Sequence, residues 1–258
     1  MKETSLSFSN VYDDAQRAEA YATLQFPGTY YLAYRDLPAI IAENVRGRAG
    51  LDFGCGAGRS TAFLKKLGFD AIGIDISASM IELAKKADPD GSYQVVDEGD
   101  FSGFEPDTFD LILSAFAFDN IPNTDKRVGV LRGLRELLKR EGRIILLDST
   151  PEIYTHEWAS FTTKEFPQNR MAKSGDTVRI VMKDVADRRP VVDVVWFHED
   201  YLRLFALSGL DLIASHKPLG RKDEPYRWQS ELSIAPWVIY VLRPLPESPA
   251  EWSSPDRL

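Results

Sequence analysis

Little in this chain supports disulfide, membrane or nucleic-acid chemistry. A single cysteine among 258 residues, Cys55, excludes an internal disulfide, and its place between two glycines is explained by small size better than by reactivity. No apolar run approaches the roughly 20 residues a membrane helix needs, and the polar start Met1–Ser5 lacks a signal-peptide core, so a cytoplasmic protein without a membrane partner is expected. Lysine and arginine number 31 against 39 acids, a formal charge of −8, which falls short of the clustered basic surface a nucleic-acid partner requires. Internal repeats and low-complexity segments are missing. What remains, 44 % hydrophobic and 27 % charged residues, suits one α/β domain with an embellishment of several dozen residues.

The chain is organised around Leu51-Asp52-Phe53-Gly54-Cys55-Gly56-Ala57-Gly58-Arg59-Ser60. Leu51 and Phe53 end a buried strand. Three glycines at alternate positions let the backbone turn sharply and pass close to a ligand, and a helix opening near Arg59 aims unpaired N–H groups at the turn. Past Gly58 comes Ile72-Gly73-Ile74-Asp75, an apolar strand ending in an acid placed to accept both hydroxyls of a ribose. A nicotinamide binder would need glycine where Arg59 stands, and no Tyr-x-x-x-Lys pair supports a reductase.

The run Asp52-x-Gly54-x-Gly56-x-Gly58 resembles the first motif of class I S-adenosylmethionine-dependent methyltransferases of the small-molecule type. Asp75 is similar to that family's ribose acid, Gly99-Asp100-Phe101 to its adenine-binding segment, and Phe109–Ser114 to its fourth strand. The resemblance runs with ordered motifs over residues 12–150 and more loosely beyond. It implies a doubly wound, Rossmann-like seven-stranded sheet whose last strand is antiparallel, with S-adenosylmethionine as cofactor and S-adenosylhomocysteine as product. The domain spans 1–243, including an N-terminal helical cap at 1–49 and a lid insert at 150–197, and a tail follows at 244–258.

The βα alternation carries the same reading. Helices are expected at Tyr12–Tyr21 and Tyr31–Asn44, then to Leu67, then from Ser77 or Ser79, with Ser79-x-x-Glu82 as a capping box. A further helix capped by Asn123 or Thr124 should end at Gly142, before strand Ile144–Leu147. Between Thr150 and Phe197 the alternation breaks. Aromatic residues without a period precede a hairpin of Val178–Met182 and Val191–Phe197. Helix Glu199–Leu207 and strands Leu210–Ala214 and Trp237–Leu242 complete the pattern.

Cofactor contacts are expected from Tyr21, Arg35, Asp52, Gly54, Gly56, Gly58, Asp75, Ile76, Met80, Asp100, Phe101 and Ser114, with Arg35 reaching the methionyl carboxylate. The small-molecule acceptor is expected against Tyr12, Phe116, Asp119, Asn120, Tyr154, Trp158 and Trp196, in a wall that is apolar with polar handles. Methyl transfer is an in-line displacement accelerated largely by positioning in a dehydrated pocket, and a base matters only if the acceptor must lose a proton. His198 and His156 are the candidate bases; His216 is expected on a loop surface. Asp119-Asn120 resembles a magnesium pair without a third oxygen ligand, so no metal is expected. The chain is read as a monomer or homodimer that methylates an O or N atom. A non-catalytic binder of the cofactor is the alternative, with a nicotinamide-dependent reductase behind it.

Overall fold

The computed structural model describes residues 28–121 and 123–245. The helix expected at Tyr12–Tyr21, with both tyrosines, and the tail from Pro246 lie outside the described residues. Two helices, α1 (Thr29–Arg35) and α2 (Leu37–Asn44), precede the sheet. One helix was expected here. Pro38 in the first turn of α2 suits a helix start rather than a helix interior, and Asp36 between the two is the break.

Strand β1 (Ala49–Phe53) is followed by α3 (Arg59–Lys66), β2 (Asp70–Asp75), α4 (Ala78–Ala87), β3 (Ser92–Val95) and β4 (Phe109–Ala115). Then come a 3₁₀ turn at Phe118–Asn120, α5 (Thr124–Leu137) and β5 (Leu138–Ser149). After the insert, α6 (His198–Leu207) leads to a pair of strands, numbered β9 (Leu210–His216) and β10 (Trp237–Pro244) because the insert holds three short strands of its own. The seven-stranded order is β3-β2-β1-β4-β5-β10-β9, with β10 antiparallel to both neighbours. This is a Rossmann-like α/β sheet with its last strand reversed. In register, Leu51 lies between Ile72 and Ile112, so the central strands are apolar on both faces, as a sheet covered by helices on each side demands.

Each face has its own core. Leu111, Leu113, Ile145, Leu147, Ile239 and Val241 pack against α1 and α2 and the insert. Ile112, Ile144, Leu146, Val238 and Tyr240 pack against α5 and α6.

Three local expectations need correction. Gly142 does not end a helix: α5 stops at Leu137 and the chain passes straight into β5, with Gly142 inside the strand beside a register shift. A Cβ there would press on the Phe109 carbonyl at 2.8 Å, so the residue permits close strand approach. The cap of α4 is Ser77, whose hydroxyl accepts from the Met80 N–H at 3.4 Å; Ser79 only contacts the Ser77 hydroxyl. The insert is a three-stranded antiparallel sheet, β6 (Phe161–Thr162), β7 (Thr177–Met182) and β8 (Val191–Val194), not a bare hairpin. A two-residue edge strand is too short to show a period. Two 3₁₀ turns, Pro151–Tyr154 and Pro167–Met171, fill the aperiodic part.

Candidate active site

At the carboxyl edge of the sheet the chain turns from β1 into α3 through Gly54, Cys55, Gly56, Ala57 and Gly58. All three glycines have positive φ, and Gly58 in the left-handed region caps α3. Gly54 must be glycine for a second reason, because a Cβ there would collide with the Ala117 side chain. Gly56 differs: a Cβ on it would point into open space. That open side, with the N-terminus of α3 beneath it, is where backbone can approach a ligand.

Two acids hold the turn. Asp52 is fully buried, and its Oδ2 accepts from the Ser60 and Thr61 hydroxyls at 2.7 and 2.6 Å, tying β1 to the first turn of α3. Burial pushes its carboxyl up to about 6 against the help of those hydroxyls. Asp52, expected as a direct cofactor contact, therefore acts through the turn. Asp75 accepts the Gly56 N–H at Oδ2 and the Ser77 N–H at Oδ1, both at 2.8 Å. Each oxygen keeps a further lone pair for a hydroxyl, and desolvation raises its pKa. Beside it Ile76 is 52 % exposed, an apolar platform at the strand end.

Asp100 is exposed, with Oδ1 accepting from the Ser102 N–H, and Phe101 below it packs on Phe53 and against Gly133. Met80 lies buried in the first turn of α4, and Ser114 is fully buried, its hydroxyl unpartnered among the described residues. Cys55 is buried and desolvation raises its thiol, consistent with a structural role.

Arg35 is the clearest correction. Four of its five N–H donors are spent on Asp36, on the Glu224 carboxylate at 2.7 Å and on the Leu219 carbonyl at 2.9 Å, so it clamps the 217–236 loop to α1 rather than turning its fork to a methionyl carboxylate. Trp158 is the second. Fully buried, it donates Nε1–H to the Ile153 carbonyl and belongs to the core under the insert, where no acceptor reaches it. Trp196 is the third: it covers Arg127, 4.2 Å from guanidinium carbon to ring centroid, and its buried Nε1 has no hydrogen-bond partner among the described residues.

The remaining acceptor candidates do gather. Phe116, at φ 59°, packs on Tyr30 and Trp237. Asn120 donates to the Phe116 carbonyl and to Asp119 Oδ1, and β8 packs on this 3₁₀ turn. Tyr154 donates its hydroxyl to Asp193 Oδ2 at 3.2 Å. The two histidines lie apart. His198 opens α6, stacks on Tyr240 and shares a 2.9 Å hydrogen bond with its hydroxyl. His156 shares Nδ1 with the Thr155 hydroxyl and the Glu152 carbonyl and lines a cavity of about 310 Å³ with Tyr154, Lys164 and Phe166. His216, expected on a loop, ends β9 with Nε2 buried and unpartnered among the described residues.

Three residues escaped sequence reasoning. Arg127 and Asp148 are charged yet fully buried, and Glu231, also fully buried, accepts from the Thr29 hydroxyl, the Ala159 N–H and the Gln229 N–H at 2.6–2.8 Å. Arg127 stands on an amphipathic helix among surface arginines, and Asp148 ends an apolar strand, so only packing reveals them.

A methyltransferase-domain family model matches residues 51–146, the stretch that holds the glycine turn, Asp75 and Asp100. Over this stretch the chain is similar to methyltransferase domains. It is 34 % identical over 125 residues to an uncharacterised methyltransferase of Bacillus licheniformis, covering 46 % of this chain and 57 % of that protein. An N-demethylindolmycin N-methyltransferase of Streptomyces griseus is 24 % identical over 221 residues, 83 % of this chain and 91 % of that one. Apart from the S. griseus enzyme, the chain spans about half the length of the curated relatives it matches. A solved S-adenosylmethionine-dependent methyltransferase from Clostridium acetobutylicum shares the fold with a TM-score of 0.58 at 13 % identity, covering 92 % of this chain and 97 % of that one.

Proposed function

We propose that this chain moves the methyl group of S-adenosylmethionine to a nitrogen or oxygen atom of a small molecule. One observation carries the reading: the open side of Gly56 faces outward from a turn that Asp75 braces with one oxygen while keeping lone pairs free on both. The cofactor fits these residues. Asp75 would hold the ribose hydroxyls, Ile76 would lie against the adenine face, Asp100 would take the exocyclic amine, and the turn would admit the methionyl part. Bound there, the sulfonium supplies an electrophilic methyl carbon. The chain's own share is positioning and exclusion of water: the three-stranded insert closes over the turn at Phe118–Asn120, and Tyr154 and Asp119 stand at the edge where an acceptor would enter.

A nitrogen acceptor has the support of the S. griseus relative, which aligns along 91 % of its length. Calorimetry with S-adenosylhomocysteine and NAD(H), followed by a screen of metabolite extracts for labelled methyl incorporation, tests the reading. Binding of S-adenosylhomocysteine and a labelled product are the expected results; NAD(H) binding without S-adenosylhomocysteine binding overturns it.

A further inference from the structure

The cavity of about 310 Å³ beside His156 belongs to the insert and not to the cofactor turn. It opens between the 3₁₀ turns Pro151–Tyr154 and Pro167–Met171, and of the acceptor candidates it shares only Tyr154. Its walls are the stretches 154–157 and 163–170, which three hydrogen bonds cross-link. The Thr163 hydroxyl donates to the His156 carbonyl at 3.0 Å, the Thr163 N–H to Glu157 Oε1 at 2.7 Å, and the buried Asn169 amide to the Tyr154 carbonyl at 2.9 Å. A protein interior ordinarily packs until such a space is closed. Here the cross-links and the proline that starts each turn fix the spacing of the walls, so the cavity is formed before any ligand arrives.

The lining is apolar inside and cationic outside. Tyr154 and Phe166 are buried rings, whereas Lys164 and Arg170 are exposed. Glu157 is the one acid among the lining residues, and the walls already use it: besides the Thr163 N–H, Oε1 accepts the Thr162 hydroxyl at 3.0 Å, and Lys164 Nζ stands 4.0 Å from Oε2. The lining is thus net positive in a chain whose formal charge is −8. The Glu152 carbonyl can only accept, so His156 Nδ1, 3.2 Å away, carries a hydrogen toward it, and Nε2 is the nitrogen left for a ligand.

Such a set repels a cation, and a bare inorganic anion would leave both rings unused. We propose that the cavity is a small-molecule site for a planar organic acid, its ring against Tyr154 and Phe166 and its carboxylate toward Arg170 and Lys164. The assignment goes beyond the methyltransferase reading and does not depend on it.

Fluorine NMR of para-fluorobenzoate and of its neutral twin para-fluorobenzamide, titrated into the full chain, tests the site. The acid should bind at least about tenfold tighter than the amide, because its bonds to the two cations are charge-assisted. Acetate, the charge without the ring, should displace the probe only in about tenfold excess or more. Arg170→Met and Lys164→Met alter exposed side chains and should leave folding intact, yet each should weaken the acid about threefold while holding the amide within about twofold. Histidine ring resonances locate the site: of His156, His198 and His216, only His156 should shift as the probe saturates. Labelled methyl incorporation into a metabolite extract separates the two sources of such an acid. Suppression by para-fluorobenzoate that concentrating the extract relieves marks the acid end of the methyl acceptor; incorporation left unsuppressed, or suppressed whatever the extract concentration, marks a separate acid. Only this arm needs a working methyltransferase, so failure of S-adenosylhomocysteine to bind counts against that reading and leaves the binding result standing. Equal affinity for acid and amide, acetate displacing the probe at equal concentration, an acid affinity unchanged when Lys164→Met and Arg170→Met are combined, or an unshifted His156 ring overturns the proposal.

Discussion

Asp75 and Asp52 are both acids beside the glycine turn, and their surroundings give them opposite duties. Asp75 keeps a lone pair on each oxygen, so Asp75→Ala should weaken S-adenosylhomocysteine by about 2–4 kcal/mol through loss of charge-assisted bonds to two hydroxyls, with folding intact. Unchanged affinity by calorimetry would show that it is not the ribose acid. Asp52 is saturated on one side by Ser60 and Thr61 and buried on the other. Its folded carboxyl titrates at about 6, above the ordinary value for an aspartate, so between about pH 4 and 6 the native state holds a proton that the unfolded chain has released. Stability from this group is therefore greatest below that window and falls as pH rises through it, by up to about 3 kcal/mol. Urea midpoints measured from about pH 4 to 7 should lose this downward slope in Asp52→Asn; an identical slope in both proteins would contradict the assignment.

At the scale of single elements, capping separates what a motif suggests from what the backbone uses. Ser77 accepts from the Met80 N–H in α4, and Asn123 accepts from the Lys126 N–H at 2.8 Å in α5. Ser77→Ala and Asn123→Ala should each cost about 1 kcal/mol, while Ser79→Ala should stay within about 0.5 kcal/mol. Equal losses at Ser77 and Ser79 in thermal or urea unfolding would restore the capping box read from Ser79-x-x-Glu82. The pattern missed the distinction because Ser79-x-x-Glu82 has the spacing of the box while Ser79 already lies inside the helix, and only backbone dihedrals put the cap at Ser77. The insert was legible in the same partial way. Alternating Val178–Met182 and Val191–Val194 announced two strands, whereas Phe161–Thr162 pairs as a third only because β7 offers it an edge.

Across the whole molecule, α1, the insert and the 217–236 loop are locked together over the sheet. Glu231 joins the three through Thr29, Ala159 and Gln229, Arg35 ties α1 to Glu224, and Trp158 fills the core between them. Trp158→Ala should therefore lower global stability by about 3–5 kcal/mol, and Glu231→Ala, which strands three buried donors, by about 3 kcal/mol or more. Both should keep one cooperative transition by calorimetric melting, with S-adenosylhomocysteine affinity within about threefold of the parent. A separate low-temperature melt confined to the insert would show that the layers unfold independently. No helix among the described residues is long and apolar enough to cross a membrane.

The glycine spacing, the acid that ends β2 and the βα alternation determined the fold and the place of the cofactor turn, because each is a local demand: positive φ, a strand end, a helix start. Arg35, Trp158 and Trp196 show where that reading stopped. Each carries a group suited to a ligand, but whether the group faces a pocket or a neighbouring side chain depends on residues far away in the chain, Glu224 for Arg35 and Arg127 for Trp196. The same holds for Arg127 and Asp148, whose charges look ordinary in their own helix and strand. Burial is a property of the packed layers, and only the tertiary structure takes a guanidinium and a carboxylate fully out of water.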